Sequence, residues 1–296
     1  MRDPVEQYRD VGDIRLCFET FGDPSEPALL LVMGLGFQMI AWHDEFCEAL
    51  AARGFHVIRF DNRDAGRSTH LEHAPAPTRG ELATRRIRSP AYRLEDMAGD
   101  AVGLLDSLEI DRAHVAGVSM GAMISQTVAA RSPSRVLSLT SIMGNTGSRL
   151  TGQPSPSVLP MLLRTQATDR AGYVRDGLRM LTRIGSPGYP SAEDERRDLL
   201  ERTFDRGVSG HGFGRQLGAI LASGNRTSAL RRITAPTLVV HGMADRLVMP
   251  SGGRATARAI KGAHLLLLAG MGHDLPREIW PFLVSAIEAN AARAGA

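Results

Sequence analysis

Short apolar runs alternate with amphipathic helical patterns along most of the chain. This alternation is typical of an α/β protein, in which helices cover both faces of a mostly parallel sheet. The 296 residues are 43% hydrophobic, which is enough to bury a large core around such a sheet. Seven runs are predicted as strands, at residues 14–20, 28–32, 56–60, 113–117, 137–143, 237–242 and 264–268.

Three helical patterns accompany these strands. In residues 94–108 apolar side chains recur at steps of three and four, which predicts a helix with one buried face. A second helix, 121–131, ends before Pro133, because the residue that precedes a proline disfavours helical geometry. A third, 276–291, begins with Pro276, which fits a first turn where no N–H is needed.

The strand pattern stops between residues 146 and 232, which we call the lid segment. Helical patterns replace it near residues 157–167, 170–184, 191–206 and 211–223. A helical insertion between two strands of a parallel sheet is expected to cover the carboxyl edge of the sheet. We therefore predict an α/β core formed by residues 1–145 and 233–296, with residues 146–232 as its lid.

Composition excludes several classes of protein. The longest apolar run, residues 28–33, is far shorter than the roughly 20 residues of a membrane-spanning helix. No apolar signal region opens the chain, and two cysteines do not make a disulfide framework, so we expect a cytoplasmic protein. The net charge is only +3, with no basic stripe or zinc-finger spacing. Neither a membrane nor a nucleic acid is therefore expected as a partner.

A serine stands at a predicted strand-to-helix junction. The strand at 113–117 leads through Gly117-Val-Ser-Met-Gly121 into a helix, which is the context that a nucleophile elbow requires. Ser119 would then lie at a helix N-terminus, whose dipole favours developing negative charge. The alternative interpretation is a glycine-rich turn without chemistry.

A serine nucleophile needs a base, and nine histidines compete for that role. His273 lies in a loop directly after the last predicted strand, at the sheet edge where Ser119 is expected. Three histidines begin strands and are expected at the opposite edge, namely His56, His114 and His264. His241 ends its strand, where it could line the site, but it is interpreted as a packed core residue. His273 is therefore the predicted base.

Asp245 is predicted to orient this histidine. It lies between Ser119 and His273 in sequence, in the loop after the strand 237–242, and so at the same sheet edge. Asp274 follows the histidine too closely to orient it and is expected to cap the last helix. The alternative for Asp245 is a turn-forming role.

An acyl-transfer site also needs N–H donors aimed at the oxyanion. The N–H of Met120, the residue after the nucleophile, is one candidate. The second is the N–H of Leu35 in Met33-Gly-Leu-Gly36, the turn that follows the strand 28–32. The alternative is a tight glycine turn with no such role.

Residues after this turn and on the lid segment are candidates for substrate contact. Phe37, Trp42 and His43 follow the turn. Apolar lid residues are candidates for the roof of a pocket, namely Leu159, Met161, Leu162, Tyr173 and Leu217. The alternative is that each of these lid residues packs between helices and does not contact the substrate. An apolar roof favours an uncharged, medium-sized substrate. The lid segment has fourteen arginines against eight acidic residues, so an acidic substrate is the alternative.

These motifs resemble those of the α/β-hydrolase superfamily. Matching segments run along nearly the whole chain, at residues 32–36, 61–68, 117–121, 236–245 and 270–273. The resemblance implies a mostly parallel eight-stranded sheet flanked by helices, with a helical lid insertion. It also implies that the acid-rich and arginine-rich segment 61–68 is a structural turn, in which Asp61 and Arg63 brace neighbouring loops. The charged run 193–201 is interpreted as a solvated helix face.

Within the superfamily the chain is similar to the aclacinomycin methylesterase group, which removes methyl esters from polyketide aglycones. In that group the triad occupies the positions that match Ser119, Asp245 and His273, and the second oxyanion donor matches Leu35. Met33 departs from the wider superfamily, where histidine is usual, and agrees with the methylesterase group.

We therefore expect a serine hydrolase that cleaves a carboxylic ester of a small to medium-sized, largely apolar molecule through an acyl-enzyme on Ser119. No cofactor and no metal is expected. Serine at this position argues against epoxide hydrolases and haloalkane dehalogenases, whose nucleophile is aspartate. Lactonases, amidases, cofactor-free perhydrolases and carbon–carbon bond hydrolases share the triad and stay open, as does a non-catalytic ligand-binding member. Monomer and homodimer are both compatible with the sequence.

Overall fold

The computed structural model describes residues 5–162 and 167–295. Within these residues the strands are β1 (Gln7–Val11), β2 (Ile14–Phe21), β3 (Ala28–Val32), β4 (His56–Phe60), β5 (Ala113–Val118), β6 (Val136–Ile142), β7 (Thr237–Gly242) and β8 (His264–Leu268). They form one sheet in the order β1-β2-β4-β3-β5-β6-β7-β8, in which β2 runs against the others. The predicted mostly parallel eight-stranded sheet is confirmed.

The helices cover both faces of this sheet. They are α1 (Asp44–Ala51), α2 (Arg79–Thr84), α3 (Leu94–Ser107), α4 (Met120–Arg131), α5 (Leu159–Leu162), α6 (Arg170–Ile184), α7 (Glu193–Arg206), α8 (Gly212–Ser223), α9 (Thr227–Leu230), α10 (Ser251–Ala259) and α11 (Trp280–Ala292). Within the described ranges, none of them combines the length and apolarity that crossing a bilayer requires.

The central strand β3 is apolar throughout because it is buried on both faces. Successive side chains of a strand point to opposite sides. Leu30 therefore packs in one core with residues of α3 and α4, whereas Leu29 and Leu31 pack in a second core with residues of α1 and α11. This arrangement fixes the carboxyl ends of β3, β5, β7 and β8 at one edge, where the candidate site lies.

Two details differ from the sequence-based prediction. The edge strand β1 was not among the seven predicted runs, because its residues are polar and only partly buried. The last helix does not begin at Pro276. A 3₁₀ turn at Arg277–Ile279 comes first, and α11 begins at Trp280 with Pro281 in its first turn.

The helices α5 to α9 lie between β6 and β7, within the lid segment. The predicted helices at 170–184, 191–206 and 211–223 correspond to α6, α7 and α8. Of the helix predicted at 157–167, the structure has α5, and residues 163–166 lie outside the described residues. The division into a core and a lid remains our prediction of how the chain is organised.

Segment 61–68 has the bracing role that was expected. The carboxylate of Asp61 is fully buried and accepts hydrogen bonds from the backbone N–H groups of Met39 and Arg67, at 2.7 and 3.0 Å. Arg63 forms a two-point ion pair with Asp100, in which both N–O distances are 2.6 Å. These contacts hold the loops after β3 and β4 against the rest of the core.

Buried ion pairs join the same segment to the lid. Arg206, at the end of α7, lies 3.0 Å from the carboxylate of Asp61. Arg215, in α8, lies 2.7 Å from the carboxylate of Asp64, and both side chains of this second pair are fully buried. A buried charge left without its partner is strongly destabilising, so these pairs fix α7 and α8 to the core.

Candidate active site

Ser119 alone makes the turn between β5 and α4. Its backbone has φ 57° and ψ −117°, a region that residues other than glycine rarely adopt. The flanking glycines allow the turn because neighbouring segments approach closely. A Cβ on Gly121 would lie 2.0 Å from the carbonyl oxygen of Val32, and one on Gly117 would lie 2.2 Å from that of Gly121. The Gly-x-Ser-x-Gly pattern is thus a steric requirement of this turn.

The structure brings together the three residues predicted as a triad. The Oγ of Ser119 lies 2.9 Å from Nε2 of His273. The Nδ1 of the same imidazole lies 2.7 Å from Oδ2 of Asp245. The three residues follow the carboxyl ends of β5, β7 and β8, so the parallel sheet itself sets their spacing. The result is a continuous hydrogen-bonded chain from hydroxyl to carboxylate.

Asp245 is fully buried and accepts several hydrogen bonds. Its Oδ1 accepts from the N–H groups of Leu247 and Val248, both at 2.9 Å. Burial by itself raises the pKa of this carboxyl, but the charge of His273 and hydrogen bonds from His241 and His273 outweigh burial and hold the pKa at about 2. An ionised Asp245 accepts a hydrogen bond from the N–H at Nδ1 of His273, which leaves Nε2 free to accept a hydrogen bond from Ser119.

His241 has a part that the sequence did not suggest. It is fully buried, as expected for a core residue. Its Nε2 lies 2.7 Å from the carbonyl oxygen of Val248 and 3.3 Å from Oδ2 of Asp245. A nitrogen that faces a carbonyl oxygen must carry the proton, so His241 also donates toward the carboxylate that orients His273.

The turn after β3 lies directly against the nucleophile. A Cβ on Gly34 would lie 3.2 Å from the Cβ of Ser119. The turn is closed by a hydrogen bond of 3.3 Å from the N–H of Phe37 to the carbonyl of Gly34. Met120 is the first residue of α4, so its N–H has no acceptor inside the helix. The oxyanion roles of Leu35 and Met120 remain predictions that this geometry accommodates.

A lid residue holds this turn in place. The N–H of Gly36 donates to Oε1 of Gln216 in α8, at 2.8 Å. The Nε2 of Gln216 donates to the carbonyl oxygen of Arg63, also at 2.8 Å, and the side chain is fully buried. Sequence reasoning missed this residue because a single glutamine in an amphipathic helix carries no distinguishing signal.

The lid also supports the loop that carries His273. The backbone N–H of His273 donates to the carbonyl of Ile184, the last residue of α6, at 2.7 Å. The N–H of Gly272 donates to Oγ of Ser186 at 2.8 Å, and that hydroxyl donates to Asp274. The expectation that Asp274 caps the last helix is therefore wrong. It ties the histidine loop to the lid.

A cavity of about 560 Å³ opens over Ser119 and His273. This volume lies within the range of small-molecule sites. Its wall includes Leu35 and five of the eight predicted contact residues, namely Phe37, His43, Leu159, Leu162 and Leu217. Burial and then Arg277 lower the pKa of His43, which favours an uncharged imidazole on this wall. In the described part of the chain, no group of three or more potential ligands is arranged for a metal ion.

Three other predicted contact residues lie elsewhere. The structure does not place Trp42 on the wall of this cavity. The preceding 3₁₀ turn directs its indole into the core, where it is 1% exposed and stacks on Phe46. Tyr173 packs against Phe204 within the lid. Met161 and Tyr173 border a smaller neighbouring cavity of about 130 Å³.

Comparisons with known proteins identify the family of the chain. A family model described as the alpha/beta hydrolase fold matches residues 27–276. The chain is 34% identical to the rhodomycin D methylesterase DauP of Streptomyces sp. (strain C5), with 94% of this chain and 95% of that protein covered. It is 27% identical to 3-oxoadipate enol-lactonase 2 of Acinetobacter baylyi, with 85% of each covered.

Among solved structures, the enol-lactonase from Burkholderia xenovorans LB400 superimposes with a TM-score of 0.78 at 24% sequence identity, and covers 97% of this chain and 100% of that chain. This likeness concerns the fold. The methylesterase relatives support a hydrolase that acts on esters. Because the family model spans most of the sequence and the relatives match along nearly its whole length, the chain belongs to the α/β-hydrolase family.

Proposed function

We propose that the protein is a serine hydrolase that cleaves a carboxylic ester of a medium-sized, largely apolar molecule through an acyl-enzyme on Ser119. The observation that carries the proposal is the hydrogen-bonded chain from Ser119 through His273 to Asp245, which opens on the cavity of about 560 Å³. A buried, ionised carboxylate behind an imidazole is the arrangement that activates a serine hydroxyl.

In the first half of the reaction, Oγ of Ser119 attacks the ester carbonyl carbon while Nε2 of His273 takes the hydroxyl proton. Asp245 stabilises the imidazolium that forms. The N–H groups of Leu35 and Met120 donate to the oxyanion of the tetrahedral intermediate. When the intermediate collapses, His273 gives the proton to the departing alcohol oxygen, and the acyl group stays on Ser119.

In the second half, a water molecule attacks the acyl carbon and His273 takes one of its protons. The new tetrahedral intermediate collapses to the free acid, and the proton returns to Oγ of Ser119. Because His273 acts as base and then as acid in each half, the same imidazole serves both steps.

The relatives suggest which ester this is. DauP and DnrP are rhodomycin D methylesterases, and we propose that this chain likewise removes the methyl group from the methyl ester of a medium-sized acid. A lactone is the second candidate, because the chain is also 27% identical to an enol-lactonase. Opening a lactone uses the same acyl-enzyme, but the alcohol remains attached to the acid.

The test is hydrolysis of p-nitrophenyl butyrate by the wild type and Ser119→Ala, followed by mass spectrometry after treatment with a fluorophosphonate probe. We expect turnover by the wild type, with the adduct on Ser119, and a loss of at least about 10³-fold in kcat for Ser119→Ala. Ser134→Ala removes an exposed serine and is the matched control. Absence of both turnover and adduct in folded wild type would leave a ligand-binding role and overturn the proposal.

A further inference from the structure

Arg85 is a cation on the cavity wall that no carboxylate among the described residues neutralises. It ends α2 with a left-handed backbone, φ 55°, and its half-buried side chain lines the cavity that Ser119 faces. Across residues 5–162 and 167–295, no carboxylate oxygen lies within 4.0 Å of its guanidinium. An arginine without a carboxylate partner, on the wall of the cavity that Ser119 also lines, is available to an anionic ligand.

The surroundings of Arg85 are positive as well. Burial lowers the pKa of its guanidinium, and the charge of Arg149 lowers it further. The acid nearest in sequence, Glu81, is engaged elsewhere, because its carboxylate accepts from the N–H groups of Thr78 and Arg88 at 3.0 and 3.1 Å. An anion placed here would thus be attracted by at least two positive charges.

The guanidinium is held in one orientation by a neutral partner. Its Nη1 donates to Oε1 of Gln153. Gln153 is fixed in turn, since its Nε2 donates to the carbonyl oxygens of Ser148 and Thr151 at 2.6 and 3.2 Å. A guanidinium has five N–H donors in a rigid plane, and this contact uses one of them. The remaining donors suit a planar carboxylate.

Two other arginines line the cavity under different conditions. Arg277 forms ion pairs with Glu195 and with Glu45, the second at 3.3 Å, so its charge is balanced. Arg196 has no carboxylate oxygen within 4.0 Å in the described residues either, and its Nη1 donates to Oγ1 of Thr182 at 3.3 Å. It differs from Arg85 in its surroundings, because the run 193–201 of α7 carries five acidic residues against two arginines. Arg85 is thus the wall arginine best suited to bind an anion.

We propose that the cavity binds an ester whose other end carries a carboxylate, and that Arg85 pairs with this carboxylate as a specificity-determining residue. The proposal rests on the proposed function, because it concerns the same cavity. The rest of the substrate contacts the apolar wall. Charge-assisted, two-point hydrogen bonds between arginine and carboxylate fix orientation as well as affinity. Arg85 would therefore select which ester reaches Ser119.

The test compares esters that differ only in this charge. Mono-p-nitrophenyl esters of dicarboxylic acids, from succinate to sebacate, place the carboxylate on the acyl side, and p-nitrophenyl esters with a terminal isopropyl group are the neutral isosteres. On the alcohol side, 4-carboxyphenyl butyrate is compared with 4-carbamoylphenyl butyrate. We expect the wild type to favour one member of the charged series, and Arg85→Gln to raise its KM about tenfold with kcat little changed. The series that shows the preference tells whether the carboxylate lies on the acyl side or on the alcohol side of the ester.

Matched variants make the result decisive. Arg85→Lys keeps the charge and should recover part of the preference, whereas Arg86→Gln removes an exposed charge one residue away and should leave it intact. Equal rates for charged and neutral esters, the same loss in Arg86→Gln, or a loss in Arg196→Gln instead would overturn the assignment to Arg85. Neutral esters report on Ser119 chemistry independently, so failure of this proposal is distinguishable from failure of the esterase proposal.

Discussion

At the scale of single residues, Ser119 combines a strained backbone with a position at one end of the candidate triad. Its φ of 57° and ψ of −117° expose the hydroxyl between the turn after β3 and His273. Residues held in such regions cost about 1–3 kcal/mol each and persist only when their surroundings enforce them. The close approaches at Gly117 and Gly121 provide that enforcement here.

This strain predicts that replacing Ser119 by glycine stabilises the fold relative to alanine, although both replacements abolish activity. Ser119→Gly should unfold with a free energy about 1–2 kcal/mol higher than Ser119→Ala, because glycine adopts this backbone without a Cβ penalty. Both variants should be inactive. Urea unfolding followed by circular dichroism measures the difference. Equal midpoints for the two variants would show that the turn stores no strain.

The residues of the candidate triad could be predicted because each stands in a loop directly after a strand, and strands are readable from apolar runs. The contact of His241 with Asp245 could not, because it depends on how the loop after β7 folds back, with Val248 reaching the same imidazole. Trp42 was misplaced for a similar reason. Its position in sequence is close to the turn, but the intervening 3₁₀ turn at Met39–Ala41 directs the indole into the core.

At the scale of elements, the lid holds two of the loops that form the site. The side chain of Gln216, in α8, accepts from the turn after β3, and the end of α6 accepts from the backbone of His273. The lid segment therefore does more than line the cavity. It fixes the two loops that carry the predicted oxyanion donor and base.

Removing the amide of Gln216 should reduce the rate of chemistry more than substrate binding. We expect Gln216→Leu to lower kcat about tenfold with KM within about twofold, because the turn that carries Leu35 loses an anchor while the cavity wall stays in place. Gln126→Leu is the matched control, since Gln126 is equally buried and donates to Ser141, away from this turn. A kcat for Gln216→Leu equal to that of the control would contradict the anchoring role.

Helices and strands were predictable where their periodicity is strong. The edge strand β1 was not, because a polar, half-exposed strand has no apolar run, although it pairs with β2 locally, through a hairpin turn at Gly12 and Asp13. The helices of the lid segment were predicted from their apolar periodicity, but periodicity does not show where a helix packs on the core. The ion pairs of Arg206 and Arg215 join residues that are about 150 positions apart in sequence.

At the scale of the whole molecule, His114 links stability to pH. It lies in β5 at 7% exposure, with Nδ1 2.9 Å from Oγ of Ser138 and the ring edge-on to Phe55. Burial lowers the pKa of this imidazole to about 4. An unfolded chain binds the proton near pH 6.5, so between these values the unfolded state holds a proton that the folded state does not.

Stability should therefore be complete above pH 6.5 and decline as the pH falls toward 4, by up to about 3 kcal/mol from this residue. His114→Gln removes the titrating group, so its unfolding free energy should change less across this interval than that of the wild type. Ser138→Ala keeps the buried imidazole and should keep the decline. Urea unfolding at half-unit pH steps measures all three proteins, and parallel pH curves for wild type and His114→Gln would refute the assignment.

The bond between Gln216 and Gly36 also bears on how such enzymes can be re-engineered. Exchanging residues 146–232 for the corresponding stretch of a relative would replace the cavity roof, but it would also remove the acceptor for Gly36, the carbonyl beneath His273 and the cations that neutralise Asp61 and Asp64. A chimera would need these partners carried over together with the new roof. We therefore expect substitutions on the cavity wall to change the substrate range more readily than exchange of the whole lid segment.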